Sequence, residues 1–330
     1  MHAAAISPRG GVSPRGTLLR GQSIIEYVLI IAVIGLVIVF AGPGVAGAIR
    51  NQFNLVGNTV SNGTVGGVEG GSAGADSATV QAAVAKDAKD WTLDEQKVVA
   101  EDIAAKGEAS PAYAKAKAAM DANTKWSIKL TNGKTLEYRI IGINHDDLAD
   151  GTGRAGLTFW ATNSVGKYTF NYKNSSDGGW EQSVIRGEMN SGKIWNLMPS
   201  DFQSKVESVK KLTNNVGGGI NGAVTATSDK LFLLSHSEII AKIVDADWIK
   251  FTSFSWFGKE GPQYEAFIGK VTENFSNNPA ITNGCDYWLR TIWPGSGVQF
   301  MRVRNGEPSK WGAEAWDPHP SYDICPAFCF

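Results

Sequence analysis

The chain has 330 residues, with 31 lysines and arginines against 32 aspartates and glutamates, for a formal net charge of -1 at pH 7. That balance supplies no basic field for nucleic acid, and DNA and RNA are excluded as expected partners. The length admits one or two globular units beside a targeting segment, and a 43 % hydrophobic content with 11 tryptophans is that of a chain that buries a core.

Met1 to Gly21 carries Arg9, Arg15 and Arg20 and no acid, the pattern of a segment held on the cytoplasmic side. Gly21-Gln22-Ser23-Ile24-Ile25-Glu26-Tyr27 then leads into the apolar run VLIIAVIGLVIVFA, which Gly42-Pro43 ends. As a helix, Ile24 to Ala41 spans about 27 Å, close to the thickness of a bilayer core. Glu26 is the lone carboxylate or cation between Gln22 and Ile49, and an acid at the entrance of such a run is a functional signal.

This stretch resembles the N-terminus of Flp/Tad-type (type IVb) prepilins, whose signature is Gly, four variable residues, Glu-Tyr and a hydrophobic helix. The resemblance implies cleavage after Gly21 by a prepilin peptidase, Gln22 as the new N-terminus, and Glu26 with Tyr27 as assembly residues. It also implies partnership with other pilin subunits and the inner-membrane pilus assembly machinery, with residence in the cytoplasmic membrane before assembly and in an extracellular pilus or at the cell surface afterwards. A physical reason supports the role of Glu26, because the amine created on Gln22 is offset in an apolar filament core by the carboxylate of a neighbouring subunit. The competing reading is a plain signal anchor or a secretory signal, for which Ala46-Gly47-Ala48 is a poor cleavage site.

The expected organisation is a leader at 1–21, a transmembrane or filament-core helix at 22–56, a Gly-rich linker at 57–76, a helical stalk at 77–122 and a globular domain at 126–330. Seven glycines between Gly57 and Gly74 mark the linker. In the stalk, Thr92 and Glu95 form a capping box, Val99 and Ile103 share a face, and Gly107 closes the helix. Ser110-Pro111 starts a second helix with Tyr113, Ala116 and Met120 on one side.

From Trp126 the pattern becomes mixed. Trp126 to Leu130 and Leu136 to Ile143 flank Asn132-Gly133, a hairpin signal, and Leu157 to Ala161 reads as another strand. Pro199-Ser200-Asp201 opens a helix with Phe202, Val206 and Val209 at helical spacing, and the glycines from Gly217 mark a loop. Lys230 to Ser235 reads as a buried strand leading into a helix from about Glu238 to Val244. From Cys285 onward, short strands alternate with aromatic loops. The expected fold class is therefore α+β, with an N-terminal pilin helix, a linker and small helical segment, and a mixed α+β domain.

His145-Asp146-Asp147, Gly156-Leu157-Thr158-Phe159, Gly179-Trp180-Glu181-Gln182-Ser183 with Arg186 and Asn190, Asp229 to Ser235, Glu238, Tyr287-Trp288-Leu289-Arg290-Thr291 and Pro326-Ala327-Phe328 occur in that order. In this respect the second half resembles a bacterial surface domain of unknown function, the 6273 family. One departure is Cys325, where that family usually has arginine before Pro-Ala-Phe. The Trp-Leu-Arg stretch, the long loop and the closing strand also look like C-type-lectin-like folds, and the domain is expected to be lectin-like.

No catalytic constellation emerges and no enzyme activity or cofactor is expected. Ser235-His236-Ser237 lacks a nucleophile elbow, and a serine capping a helix before Glu238 is the simpler role. His145-Asp146-Asp147 with Asp150 lacks calcium-loop spacing, so a hydrogen-bonded turn is favoured over a metal site. Arg186 and Arg290 sit beside tryptophans, where a structural ion pair competes with a ligand pocket. Trp293, Trp311 and Trp316, with Arg290, are the candidate ligand-binding residues, on a loop suited to a glycan or surface-protein ligand. The cysteines, Cys285, Cys325 and Cys329, suit one disulfide from Cys285 to either of the others if the domain is exported. The expected function is a pilin-like filament subunit displaying an adhesin-like domain; the alternative is a membrane-anchored binding protein that does not polymerise.

Overall fold

The computed structural model describes residues 77–240, 253–271, 278–281, 284–304 and 313–330, all within the compact unit Gly70–Phe330. The leader, the apolar run and the Gly-rich linker lie outside the described residues, and with them Gly21, Gln22, Glu26 and Tyr27.

Helices α1 (Ser77–Ala85), α2 (Leu93–Lys106) and α3 (Tyr113–Asp121) come first. Thr92 and Glu95 make the expected capping box, with Glu95 N donating to Thr92 Oγ1 at 3.2 Å and Thr92 N to Glu95 Oε2 at 2.8 Å. Gly107 ends α2 at a φ of 57°, which a side chain would resist. Val99, Ala100 and Ile103 are buried in the same core as the strands that follow, and Ala116 and Met120 of α3 join them. The segment read as a stalk is thus packed on the domain.

The first sheet has the order β1-β2-β3-β12-β7: β1 (Lys125–Lys129), β2 (Thr135–Ile143), β3 (Leu157–Ala161), β7 (Leu231–Phe232) and β12 (Ala327–Cys329), all antiparallel. The hairpin signal holds, and Gly133 takes a φ of 83° in its loop. On one face Trp126, Tyr138, Phe159 and Phe328 form an aromatic layer with ring centroids 5.2–6.4 Å apart. On the other, the register aligns Lys125 with Arg139 and Arg139 with Trp160. Alternation along each strand separates the two sets.

The second sheet, β10-β9-β8-β11-β4, contains β4 (Lys167–Thr169), β8 (Tyr287–Ile292), β9 (Phe300–Val303), β10 (Ala313–Trp316) and β11 (Ser321–Asp323); β8 and β11 are parallel and the other pairs antiparallel. A hairpin of β5 (Val209–Asn214) and β6 (Val224–Asp229) and the short helices α4 (Val184–Asn190), α5 (Ser200–Gln203) and α6 (His236–Ile239) complete the described fold.

Three elements differ from expectation. The helix read from about Glu238 to Val244 is α6, which begins at His236 and is ended by extended backbone at Ile240. The helix after Pro199 stops at Gln203 because the chain turns to pair with the C-terminal strand: Glu207 N donates to Cys329 O at 2.9 Å, and Val209 already belongs to β5. Tertiary pairing overrides the helical spacing of Val206 and Val209. The strand at Lys230–Ser235 is limited to Leu231–Phe232, since the next carbonyls, Leu233 O and Leu234 O, accept from Arg290 at 2.6 and 3.0 Å.

The expected fold class is corrected. The described residues form a mixed α/β fold of two five-stranded sheets, a two-stranded hairpin and short helices, and the expected pilin helix lies outside them. Among the described residues no helix is long and apolar enough to cross a membrane; the longest, α2, has 14 residues, about 21 Å, and carries a charged face.

Candidate functional site

Arg290, a predicted ligand residue, stands in β8 at the centre of a sealed charge cluster. Its Nη1 and Nη2 donate to Glu238 Oε2 and Oε1 at 2.5 and 2.7 Å, its Nε to Thr213 Oγ1 at 2.9 Å, and the remaining contacts go to the carbonyls of Leu212, Leu233 and Glu260. Glu238 is placed by the capping box of α6, where Ser235 N reaches its Oε2 at 2.9 Å. Lys211, an inward position of β5, lies 2.6 Å from Asp146 Oδ1 and 2.5 Å from Glu238 Oε1, and donates to Tyr264 OH at 3.0 Å.

Burial in this cluster opposes the charge on each group, yet for Asp146, Glu238, Lys211 and Arg290 the pairing prevails. Asp146 is held down at about 2 against its burial by Lys211 and His145. Glu238 is lowered by Arg290 and Lys211, and Lys211 is raised by Asp146 and Glu238. Glu260, hydrogen-bonded to Asn214 N and Thr291 Oγ1, is pushed up by burial. Arg290, Glu238, Lys211, Asp146, Glu260 and Tyr264 are all buried, and the donors of Arg290 are taken up by protein groups.

A second network takes up Arg186, Asn190 and Trp180. Arg186 Nε donates to Asp229 Oδ1 at 2.6 Å, while Trp180 Nε1 and Thr227 Oγ1 reach Asp229 Oδ2 at 2.9 and 2.6 Å. Asn190 Nδ2 donates to Arg186 O and Leu231 O, and its Oδ1 accepts from Lys230 N. These residues fasten α4 to β6 and β7.

The predicted aromatic loop is only partly described. Trp293 is half-buried against the core, and Phe300 is buried in β9, stacked on Phe170 at 3.8 Å. Trp316 pairs with Phe300 across β10 and β9, and Trp311 lies outside the described residues. Cys285 Sγ and Cys325 Sγ stand 3.8 Å apart as thiols in contact. Cys329 is instead buried beside Thr158 Oγ1 and Asp146 Oδ2, at 3.4 and 3.6 Å.

His145 stacks on Tyr264 with centroids 4.0 Å apart and meets both Glu265 oxygens at 3.1 Å through Nδ1. Asp150 accepts from Thr152 N at 2.9 Å in a local turn. Among the described residues no group of three or more His, Cys, Asp or Glu side chains is placed to hold a metal ion.

Two clefts open beside the first sheet. One, of about 370 Å³, lies between α2 and β1 and includes Trp91, Gln96, Trp126 and Tyr138. Its polar groups are matched: Tyr138 OH donates to Gln96 Oε1 at 3.1 Å, and both indole N–H groups find carbonyls.

The other, of about 390 Å³, is lined by Asn123, Lys125, Arg139, Trp160, Thr162, Pro279 and Ala280. Its polar groups are not all matched. Arg139 is only 4 % exposed, yet no carboxylate among the described residues pairs with it. Its guanidinium donates to Asn123 Oδ1 and to Ala280 O and lies 5.8 and 5.7 Å from the ring centroids of Trp160 and Phe267. Burial lowers its pKa to about 10, which leaves it charged at neutral pH. Thr162 Oγ1 is buried without a hydrogen-bond partner.

Sequence reasoning missed this cleft. The one local signal was a lone cation, Arg139, in the otherwise uncharged strand segment Tyr138–Ile143.

The family model for the domain of unknown function DUF6273 matches residues 155–330. Comparison with curated proteins gives no match, and neither does comparison with solved structures. The match spans more than half of the sequence, and the chain belongs to the DUF6273 family.

Proposed function

We propose that this chain is a Flp/Tad-type pilin-like subunit that displays its DUF6273 region as a binding module. The observation that carries the reading is Gly21, the four residues after it, and Glu26-Tyr27 at the head of an apolar run. A carboxylate in that position has no role in a plain signal anchor. A prepilin peptidase, other pilin subunits and the inner-membrane assembly machinery are the partners this reading requires. It places the subunit first in the cytoplasmic membrane and then in an extracellular filament at the cell surface.

The geometry of the domain supports display and binding over catalysis. Two charged residues of its motifs, Arg186 and Arg290, are spent on internal pairs, its last strand is paired on both sides within a sheet, and an open cleft holds a buried hydroxyl without a partner, Thr162 Oγ1. The ligand of such a module is an external molecule, a glycan or a surface protein. In the native host, Glu26→Ala should leave processing intact and remove the subunit from sheared filaments. Normal incorporation of that variant would contradict the polymerising role, and a processed chain found only in the membrane fraction of wild-type cells would favour a non-polymerising surface protein.

A further inference from the structure

We propose that the cleft floored by Arg139 is a binding site for a small organic carboxylate. The inference rests on the reading of the domain as a binding module and names the chemistry it selects.

The register of three adjacent strands builds the site. Lys125, Arg139 and Trp160 stand side by side on β1, β2 and β3, with Thr162 two residues beyond Trp160 on the same face. Arg139 is a buried cation whose described partners are neutral: a side-chain amide oxygen, a backbone carbonyl and two aromatic rings. Taking a guanidinium out of water without an anion is costly, and a carboxylate entering the cleft removes that cost. Two of its five donors are used by Asn123 and Ala280, and the planar fork matches a carboxylate better than a spherical anion.

Thr162 Oγ1, buried and unpartnered on the cleft wall, gains a hydrogen bond from the same ligand. Lys125, half-exposed and 3.2 Å from Glu137, sets a second positive charge at the mouth. A volume of about 390 Å³ is at the lower end for ligand pockets, which fits a hydroxy acid or one sugar acid and excludes a folded partner.

The test is calorimetric titration of the purified full-length chain with acetate, lactate and D-glucuronate, and with glucose and inorganic phosphate as neutral and non-planar controls. Saturable binding of at least one carboxylate is expected, with neither control competing. Thr162→Val should weaken it about fivefold or more, and Arg139→Gln about a hundredfold, from the hydrogen bonds each removes. Because the Arg139 variant can lose its fold, Thr162→Val is the decisive partner: its hydroxyl holds no protein group, so the fold is expected to persist.

Three results would overturn the inference: no carboxylate bound at about 10 mM, a range where even weak single-site contacts register; equal binding of phosphate or glucose; or unchanged affinity in the folded Thr162→Val protein. Cleavage after Gly21 is read separately. Failure to bind with cleavage intact removes the carboxylate site alone, and binding without cleavage removes the pilin reading alone.

Discussion

Arg290 and Glu238 meet as a bidentate pair, Nη1 to Oε2 at 2.5 Å and Nη2 to Oε1 at 2.7 Å, with neither side chain open to solvent. The pair ties β8 to the first turn of α6, and Lys211 shares the second carboxylate oxygen. Removing one partner strands a buried charge, so Arg290→Met should destabilise the domain by about 3–5 kcal/mol. The double change Arg290→Met with Glu238→Met should cost less than the sum of the singles. Urea denaturation checks both statements; a stable Arg290→Met protein would contradict the structural role of this arginine.

Much of this was legible locally. Thr92 with Glu95, Ser235 before Glu238, and Asn132-Gly133 are short-range signals whose hydrogen bonds and turn geometry close within a few residues, and each stands as read. The ion-pair reading of Arg186 and Arg290 also stands, although their partners, Asp229 and Glu238, come from distant segments. What the sequence hid is what depends on register: Val206 and Val209 have helical spacing, but Glu207 between them pairs with the backbone of Cys329 and Val209 pairs with Asp229 of β6. The Arg139 cleft exists only because three strands and the turn at Pro279-Ala280 converge.

The thiols follow from proximity. Cys285 faces Cys325 at 3.8 Å, while Cys329 is buried beside Asp146, and burial with that negative charge pushes its pKa well above the ordinary thiol value. Oxidation should therefore join Cys285 to Cys325 and spare Cys329, with a gain of about 2–4 kcal/mol. Non-reducing peptide mapping after exposure to oxidised glutathione checks the pairing; a bond that includes Cys329 would contradict it.

Two histidines give stability opposite dependences on pH. Burial pushes His236 down to about 3, so its contribution is present above about pH 6.5 and is lost progressively as pH falls. For His145, burial opposes protonation, but the hydrogen bond to Glu265 and the charges of Asp146 and Glu265 outweigh it and raise the pKa. Its contribution is complete below about pH 6.5 and is lost as pH rises through the folded value. Glu265→Gln should flatten the alkaline decline and leave the acid side unchanged in urea titrations across that range. An altered acid limb would refute the assignment.

Two glycines separate packing from propensity. A Cβ on Gly156 would lie 1.8 Å from Ala100 O, where neither β3 nor α2 can yield cheaply, so Gly156→Ala should cost about 3 kcal/mol. Gly187, inside α4, has nothing within 4 Å of its added Cβ, and Gly187→Ala should stabilise by about 0.5–1 kcal/mol. Thermal unfolding of the pair reads the two signs, and a neutral Gly156→Ala would contradict the close approach.

The pilin-like reading stands or falls on where the mature chain begins. N-terminal sequencing and intact mass of the protein isolated from filaments or membranes of its own host should show Gln22 as the first residue, with residues 1–21 removed. A mature chain that starts at Met1, or beyond Ala48 as a secretory signal would leave it, would contradict the account.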